Sequence, residues 1–77
     1  MRKKYSISER ASLKKLGMRI RKLRTNMGFS QEDLAFNAYL DRSYIGEIER
    51  GERNLSFLNI EKISKELKMS VSKLTDV

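Results

Sequence analysis

The sequence predicts an all-α fold of five short helices in one compact domain, and three observations predict it. Apolar residues recur at three- and four-residue steps along most of the 77-residue chain, and no stretch alternates like a strand. There is no proline to interrupt a helix. Serine or aspartate stands just ahead of most of the periodic segments, where a helix start needs a side-chain acceptor. A chain this short makes a single domain and has to bury its apolar groups efficiently.

Residues 1–8, MRKKYSIS, have no period and few apolar groups, which predicts a mobile basic arm ahead of a folded unit at 9–77. Such an arm can lie in a minor groove or along phosphates, or be plain disorder. From Glu9 to Met27 the stripe Leu13, Leu16, Ile20, Leu23, Met27 defines the first helix, with Ser8 or Ser12 as its cap and Gly28 suited to the residue after it. Gly17 inside that helix costs roughly 1 kcal/mol relative to alanine, so it marks either close packing or tolerance. Ser30 with Asp33 three residues on reads as a variant capping box for a second helix, with Leu34 and Ala35 inward and Phe36 beside that face. A turn at Ala38 to Leu40 leads to Asp41 as cap of a third helix, Arg42 to Arg50, which buries only Ile45 and Ile48. After a polar loop, Ser56 caps a fourth helix running to about Lys68, with Phe57, Ile60, Ile63 and Leu67 inward. Ser70 caps a short fifth helix carrying Val71 and Leu74.

The charge is distributed unevenly. Ten cations and one acid lie in residues 1–24, against seven cations and nine acids in residues 25–77, so the whole excess of +7 resides in the first third. A polyanionic partner, nucleic acid or an anionic membrane surface, fits that asymmetry, as does a solvated basic face that aids solubility. With no cysteine there are no disulfides or thiolate metal sites, and with no histidine the usual general base and zinc ligand are missing. No glycine-rich phosphate loop or convergent carboxylate pair stands out, so an enzyme is not expected, nor a cofactor, metal or small-molecule ligand. No apolar run reaches the ~18–20 residues that span a bilayer, and the basic N-terminus is not followed by a signal-peptide core. The expectation is a soluble cytoplasmic protein.

The stretch from Ser30 to Arg50 carries the chemistry. Two short amphipathic helices need a small residue where they cross, supplied by Ala35, and an apolar plug in the turn, supplied by Leu40. The second has a thin buried side and the polar outer positions Arg42, Ser43, Tyr44 and Glu47. That is the pattern of a helix-turn-helix, whose second helix enters the major groove. Gln31, at the start of the first, can donate to a phosphate alongside the free helix amides. Arg24 can bind phosphate or pair internally with an acid such as Glu49.

Gln31-Glu32-Asp33-Leu34-Ala35, Tyr44-Ile45, Ile48-Glu49-Arg50-Gly51 and Arg53-Asn54 together resemble the phage-repressor-like, or Xre, family over about residues 13–75. Leu40-Asp41-Arg42-Ser43-Tyr44-Ile45 and the segment Arg53-Asn54-Leu55-Ser56 with Asn59-Ile60-Glu61-Lys62-Ile63 look most like the controller proteins of restriction–modification systems. The resemblance implies a five-helix, phage-repressor-like fold and a homodimer on a two-fold related, double-stranded DNA operator. It implies a phosphate anchor at Gln31, reading by Arg42, Ser43 and Tyr44, and backbone contacts from Arg53 and Asn54. Arg42 is the candidate for bidentate contact to guanine. The family usually has glycine where this chain has Tyr39, so Tyr39 must tolerate strain or shift the turn.

Leu55 and Leu58 are apolar positions that the inward stripe of the fourth helix does not require, which predicts a dimer interface centred on them. The leading expectation is a dimeric, sequence-specific transcriptional regulator, the controller of a restriction–modification operon. The alternatives are a prophage repressor, or an antitoxin or antirepressor module that binds a protein through the same fold. A membrane-surface role for the basic first helix conflicts with the core's need for its apolar stripe.

Overall fold

The computed structural model describes residues 5–77. They form five helices: α1 Ile7–Asn26, α2 Gln31–Ala38, α3 Arg42–Glu49, α4 Phe57–Glu66 and α5 Val71–Leu74. The third helix packs on α2 and α1, α2 also meets α4, and α5 packs against α1 and α4. At the centre Ile20, Leu34, Ile45, Ile48, Ile63 and Leu74 are fully buried, each contributing about 1.5–3 kcal/mol by its removal from water. The expected all-α, five-helix architecture is the one observed.

The first helix starts earlier than its apolar stripe. Ser6 Oγ accepts from the Glu9 amide at 3.1 Å, and Glu9 Oε1 accepts from the Ser6 amide at 2.8 Å, a full capping box. Ser6, rather than Ser8 or Ser12, is therefore the cap, and Ile7 and Ser8, expected in the arm, are helical. Ile7 lies exposed in the first turn, so no buried periodicity announced it. Arg2, Lys3 and Lys4 lie outside the described residues. At the other end Gly28 takes φ +77°, the left-handed conformation expected after the last turn.

Gly17 resolves in favour of close packing. A Cβ there would lie 2.8 Å from the Glu49 carbonyl oxygen and nearer still to that of Ile48. The α1 backbone thus rests directly on the carbonyl end of α3. In α2, Ser30 Oγ accepts from the Asp33 amide at 3.0 Å while Asp33 accepts from the Ser30 amide at 2.9 Å. Leu34 and Ala35 are buried as expected, whereas Phe36 is 82% exposed and joins no part of the core. Tyr39 keeps the turn unshifted by adopting φ +58°, ψ +43°, at a cost on the order of 1–2 kcal/mol for a residue with a Cβ. Its ring stands in solvent, and the Leu40 amide closes the turn on the Ala35 carbonyl at 2.8 Å.

Three expectations are corrected. Asp41 is the N-cap of α3, but its side chain makes no capping hydrogen bond. Phe57, expected inward, is 63% exposed, because Leu55 in the preceding loop packs against the core and the inward face of α4 begins only at Ile60. Leu55 is accordingly half-buried rather than exposed. Ile63 and Leu67 are buried, and Lys68 at φ +58° turns the chain into the Ser70-capped α5. Arg19 ties that last helix back to α1, donating to the Leu74 carbonyl at 3.0 Å and the Lys73 carbonyl at 2.8 Å. A guanidinium on carbonyls at a helix C-terminus satisfies their open acceptors and complements the dipole.

Candidate nucleic-acid interface

The third helix is short, and its placement rests on what lies beneath it. Ile45 and Ile48 sit in the core, and Glu49 is buried with them. A carboxylate in that position needs donors, and two residues supply three. Arg24 donates through Nε to Oε2 at 2.6 Å and through Nη2 to Oε1 at 2.9 Å, and Gln31 Nε2 reaches Oε1 at 3.0 Å. Arg24 also donates to the Phe29 carbonyl at 2.8 Å. The hydrogen bond to Glu49 raises the Arg24 pKa above its ordinary value, against the opposing effect of burial. One network therefore joins α1, the turn into α2, α2 and α3. Among the described residues no buried side-chain nitrogen or oxygen lacks a partner.

This decides the alternatives for Arg24 in favour of internal pairing. It also qualifies Gln31. One of the two amide hydrogens is committed to Glu49, leaving one for a phosphate.

On the outer side, Arg42 and Ser43 open α3 and are exposed. Arg42 Nε lies 3.1 Å from Glu32 Oε2 across the α2–α3 angle, with both side chains more than half in solvent. Tyr44 is half-buried at the edge of the same surface. Its hydroxyl accepts from Asn59 Nδ2 at 2.9 Å, and the Arg53 guanidinium lies over its ring, 5.1 Å from the centroid. Arg53 Nε in turn meets Glu47 Oε1 at 2.9 Å. Glu47, Arg53, Tyr44 and Asn59 thus form one continuous array along α3. Asn54 points elsewhere, into a cleft beside Tyr5, Glu9, Ser12 and Leu13 of the α1 end. The structure brings Tyr44 and Arg53 into contact, sets Arg42 and Ser43 at the head of the helix, and leaves Asn54 apart from them.

Sequence reasoning missed Asn59 and the role of Arg50, which pairs with Glu52 at 3.0 Å beside a cleft lined by Arg10, Lys14, Met18 and Arg21 of α1. The hydrogen bond to Glu52 raises the Arg50 pKa and lowers that of Glu52. The pairs of Arg42, Arg50 and Arg53 are all at the surface, where solvent and salt screen such contacts strongly. Each guanidinium can exchange its carboxylate for a phosphate or a base edge at little cost. Among the described residues no group of three or more acidic, cysteine or histidine side chains could hold a metal ion. Nor, among them, is any helix long and apolar enough to cross a membrane.

The helix-turn-helix family matches residues 20–74, from the middle of α1 to the end of α5. The chain belongs to that family. Within it, the chain is 49% identical over 61 residues to control protein C.BamHI of Bacillus amyloliquefaciens, covering 78% of this chain and 75% of that one. The crystal structure of the restriction–modification controller protein C.AhdI of Aeromonas hydrophila superposes with a TM-score of 0.81 at 52% identity, covering 83% of this chain and 97% of that one. The biofilm master regulator SinR, solved in complex with DNA, gives a TM-score of 0.76 at 39% identity, covering 79% of this chain and 98% of that one. Close relatives of the chain within that family are thus restriction–modification controller proteins.

Proposed function

We propose that the protein binds a two-fold related DNA operator as a homodimer and thereby controls transcription of a restriction–modification operon. The observation that carries this reading is the outer surface of α3, where Arg42 and Ser43 stand exposed above a buried side of isoleucines. In this reading Arg42 reads guanine, Ser43 and Tyr44 contact the adjoining base edges or sugar, and Gln31 and Arg53 hold phosphates. Asn54, set apart near the start of α1, contacts the backbone at the outer edge of the half-site. The cations of α1 facing Arg50 add sequence-independent attraction for the duplex.

Dimerisation rests on α4. Leu58 is 67% exposed beside the similarly exposed Phe57, an apolar pair on the first turn of the helix, and Leu55 lies half-buried just ahead of it. A two-fold axis there gives two recognition helices, which meet successive major grooves on one face of DNA when roughly 34 Å apart. The SinR–DNA complex and the control-protein relatives support the DNA-binding half of the reading. Selection of duplexes from a random library tests it: the enriched sequence should contain two inverted half-sites. Arg42→Ala should then weaken binding to the selected duplex by about 1–3 kcal/mol and relax one base position. Equal losses on selected and random duplexes would remove Arg42 from the reading role, and failure to enrich any sequence would favour the antirepressor or antitoxin alternative.

A further inference from the structure

The reading surface contains one contact that neither helix packing nor charge balance requires. Asn59 lies on the first turn of α4, with its own amide donating to Ser56 Oγ at 3.2 Å, and its side chain crosses to α3 to meet the Tyr44 hydroxyl at 2.9 Å. The side-chain nitrogen is the donor, so the phenol oxygen accepts and its single hydrogen is left to point away from Asn59. Arg53 covers the ring from one side. The phenol is thereby held at its tip and over its face, and a minor part of it remains open to solvent beside Ser43.

We propose that Asn59 is a positioning residue for DNA reading: it fixes Tyr44 as a hydrogen-bond donor toward the duplex. A hydroxyl constrained in this way selects acceptors, namely phosphate oxygen, thymine O4, guanine O6 and N7, or adenine N7. It discriminates against the amino groups of adenine and cytosine at the position it faces. The inference rests on the proposed DNA-reading role of α3 and adds to it a residue from a different helix. It also links two surfaces, because the residue before Asn59 is Leu58, the exposed centre of the proposed association face. A partner subunit closing on the first turn of α4 would restrain Asn59, and through it the orientation of Tyr44.

The experiment compares affinities for a duplex selected by the wild-type protein with those for a random-sequence duplex, using the full chain. Tyr44→Phe and Asn59→Ala should each lower the selected-to-random ratio by about fivefold, the size of one hydrogen bond. The double variant should lose no more than either single one, because both changes remove the same directed proton. Asn59→Asp should lose at least as much, since a carboxylate only accepts and turns the phenol hydrogen inward. Taking the ratio cancels the general repulsion of its added charge. A purely structural Asn59 would lower both affinities together and leave the ratio fixed, which would overturn the proposal, as would additive losses in the double variant. Arg42→Ala separates the two levels. If it lowers the ratio while Asn59→Ala does not, only the role of Asn59 fails; if neither lowers it, the reading of α3 fails with it.

Discussion

Replacing Arg24 with methionine should be among the most damaging single changes in the domain. The guanidinium supplies both oxygens of Glu49, whose side chain is only 3% exposed, and it also satisfies the Phe29 carbonyl. Without it the carboxylate keeps one neutral donor, Gln31 Nε2. Stranding a buried charge costs about 3–5 kcal/mol, and the lost carbonyl contact about 1 kcal/mol more. A chain of 77 residues has on the order of 4–12 kcal/mol of stability in total. Arg24→Met should therefore remove a third or more of it. Urea denaturation followed by far-UV circular dichroism measures the loss. The double variant Arg24→Met, Glu49→Leu should recover most of the stability, because an apolar pair of similar volume replaces the ion pair without a stranded charge. Its DNA affinity should stay low, since Gln31 loses the acceptor that orients it. A loss below about 1 kcal/mol for Arg24→Met would mean that the pair behaves like a surface contact. A double variant no more stable than the single would place the loss in the Phe29 contact and packing rather than in the charge.

Gly17→Ala, which in an ordinary helix interior gains about 1 kcal/mol, should here lose about 1–3 kcal/mol and lower the melting temperature by several degrees. A rise would refute the contact between α1 and the carbonyls of Ile48 and Glu49. Leu58→Glu should leave the protein monomeric in sedimentation at concentrations where the wild type is dimeric; an unchanged dimer would move the interface elsewhere. The Ser30 amide and hydroxyl hold the Asp33 carboxyl below its usual range, and Arg50 does the same for Glu52. Carboxyls depressed in the folded state stabilise it fully above their unfolded value, near pH ~4, and lose that contribution as pH falls through the lower folded value. Thermal melts should thus rise in midpoint with pH across the acidic range up to about pH 5, with a shallower rise in Asp33→Asn. Superimposable profiles for the two proteins would exclude Asp33 from that dependence.

The helices and most of their caps were legible because they depend on neighbours in sequence. Ser30 and Asp33 are three residues apart, and so are Ile45 and Ile48. The start of α1 was not, because its first turn is polar and exposed and only the Ser6–Glu9 pair marks it. Phe57 and Leu55 exchanged roles for a similar reason: helical spacing places a residue on a face but does not say how far along α4 the core reaches. Arg42 and Ser43 stand exposed at the start of α3, where pattern reasoning puts them. Gln31, Tyr44 and Arg53 are modified by partners on other elements, and no local pattern encodes an amide from α4 on the Tyr44 hydroxyl. Arg19 is the extreme case. It reads as one more cation of a basic helix, yet its donors go to carbonyls 54 and 55 residues away.

Gly17 and Arg24 lie two helical turns apart on α1, roughly 10 Å along its axis, and both engage the same residue. The Glu49 backbone lies against Gly17 and its carboxylate against Arg24. Side chains on a helix lean toward its N-terminus, which is the direction Arg24 must lean to close the gap. The segment between them therefore acts as a gauge of fixed length. A residue inserted within it would swing Arg24 by about 100° around the axis and out of reach of Glu49. An insertion between Glu9 and Lys14 would leave both contacts in phase. Length variation in α1 should thus be tolerated on one side of Gly17 and refused on the other, a boundary invisible in the helix's own hydrogen bonds.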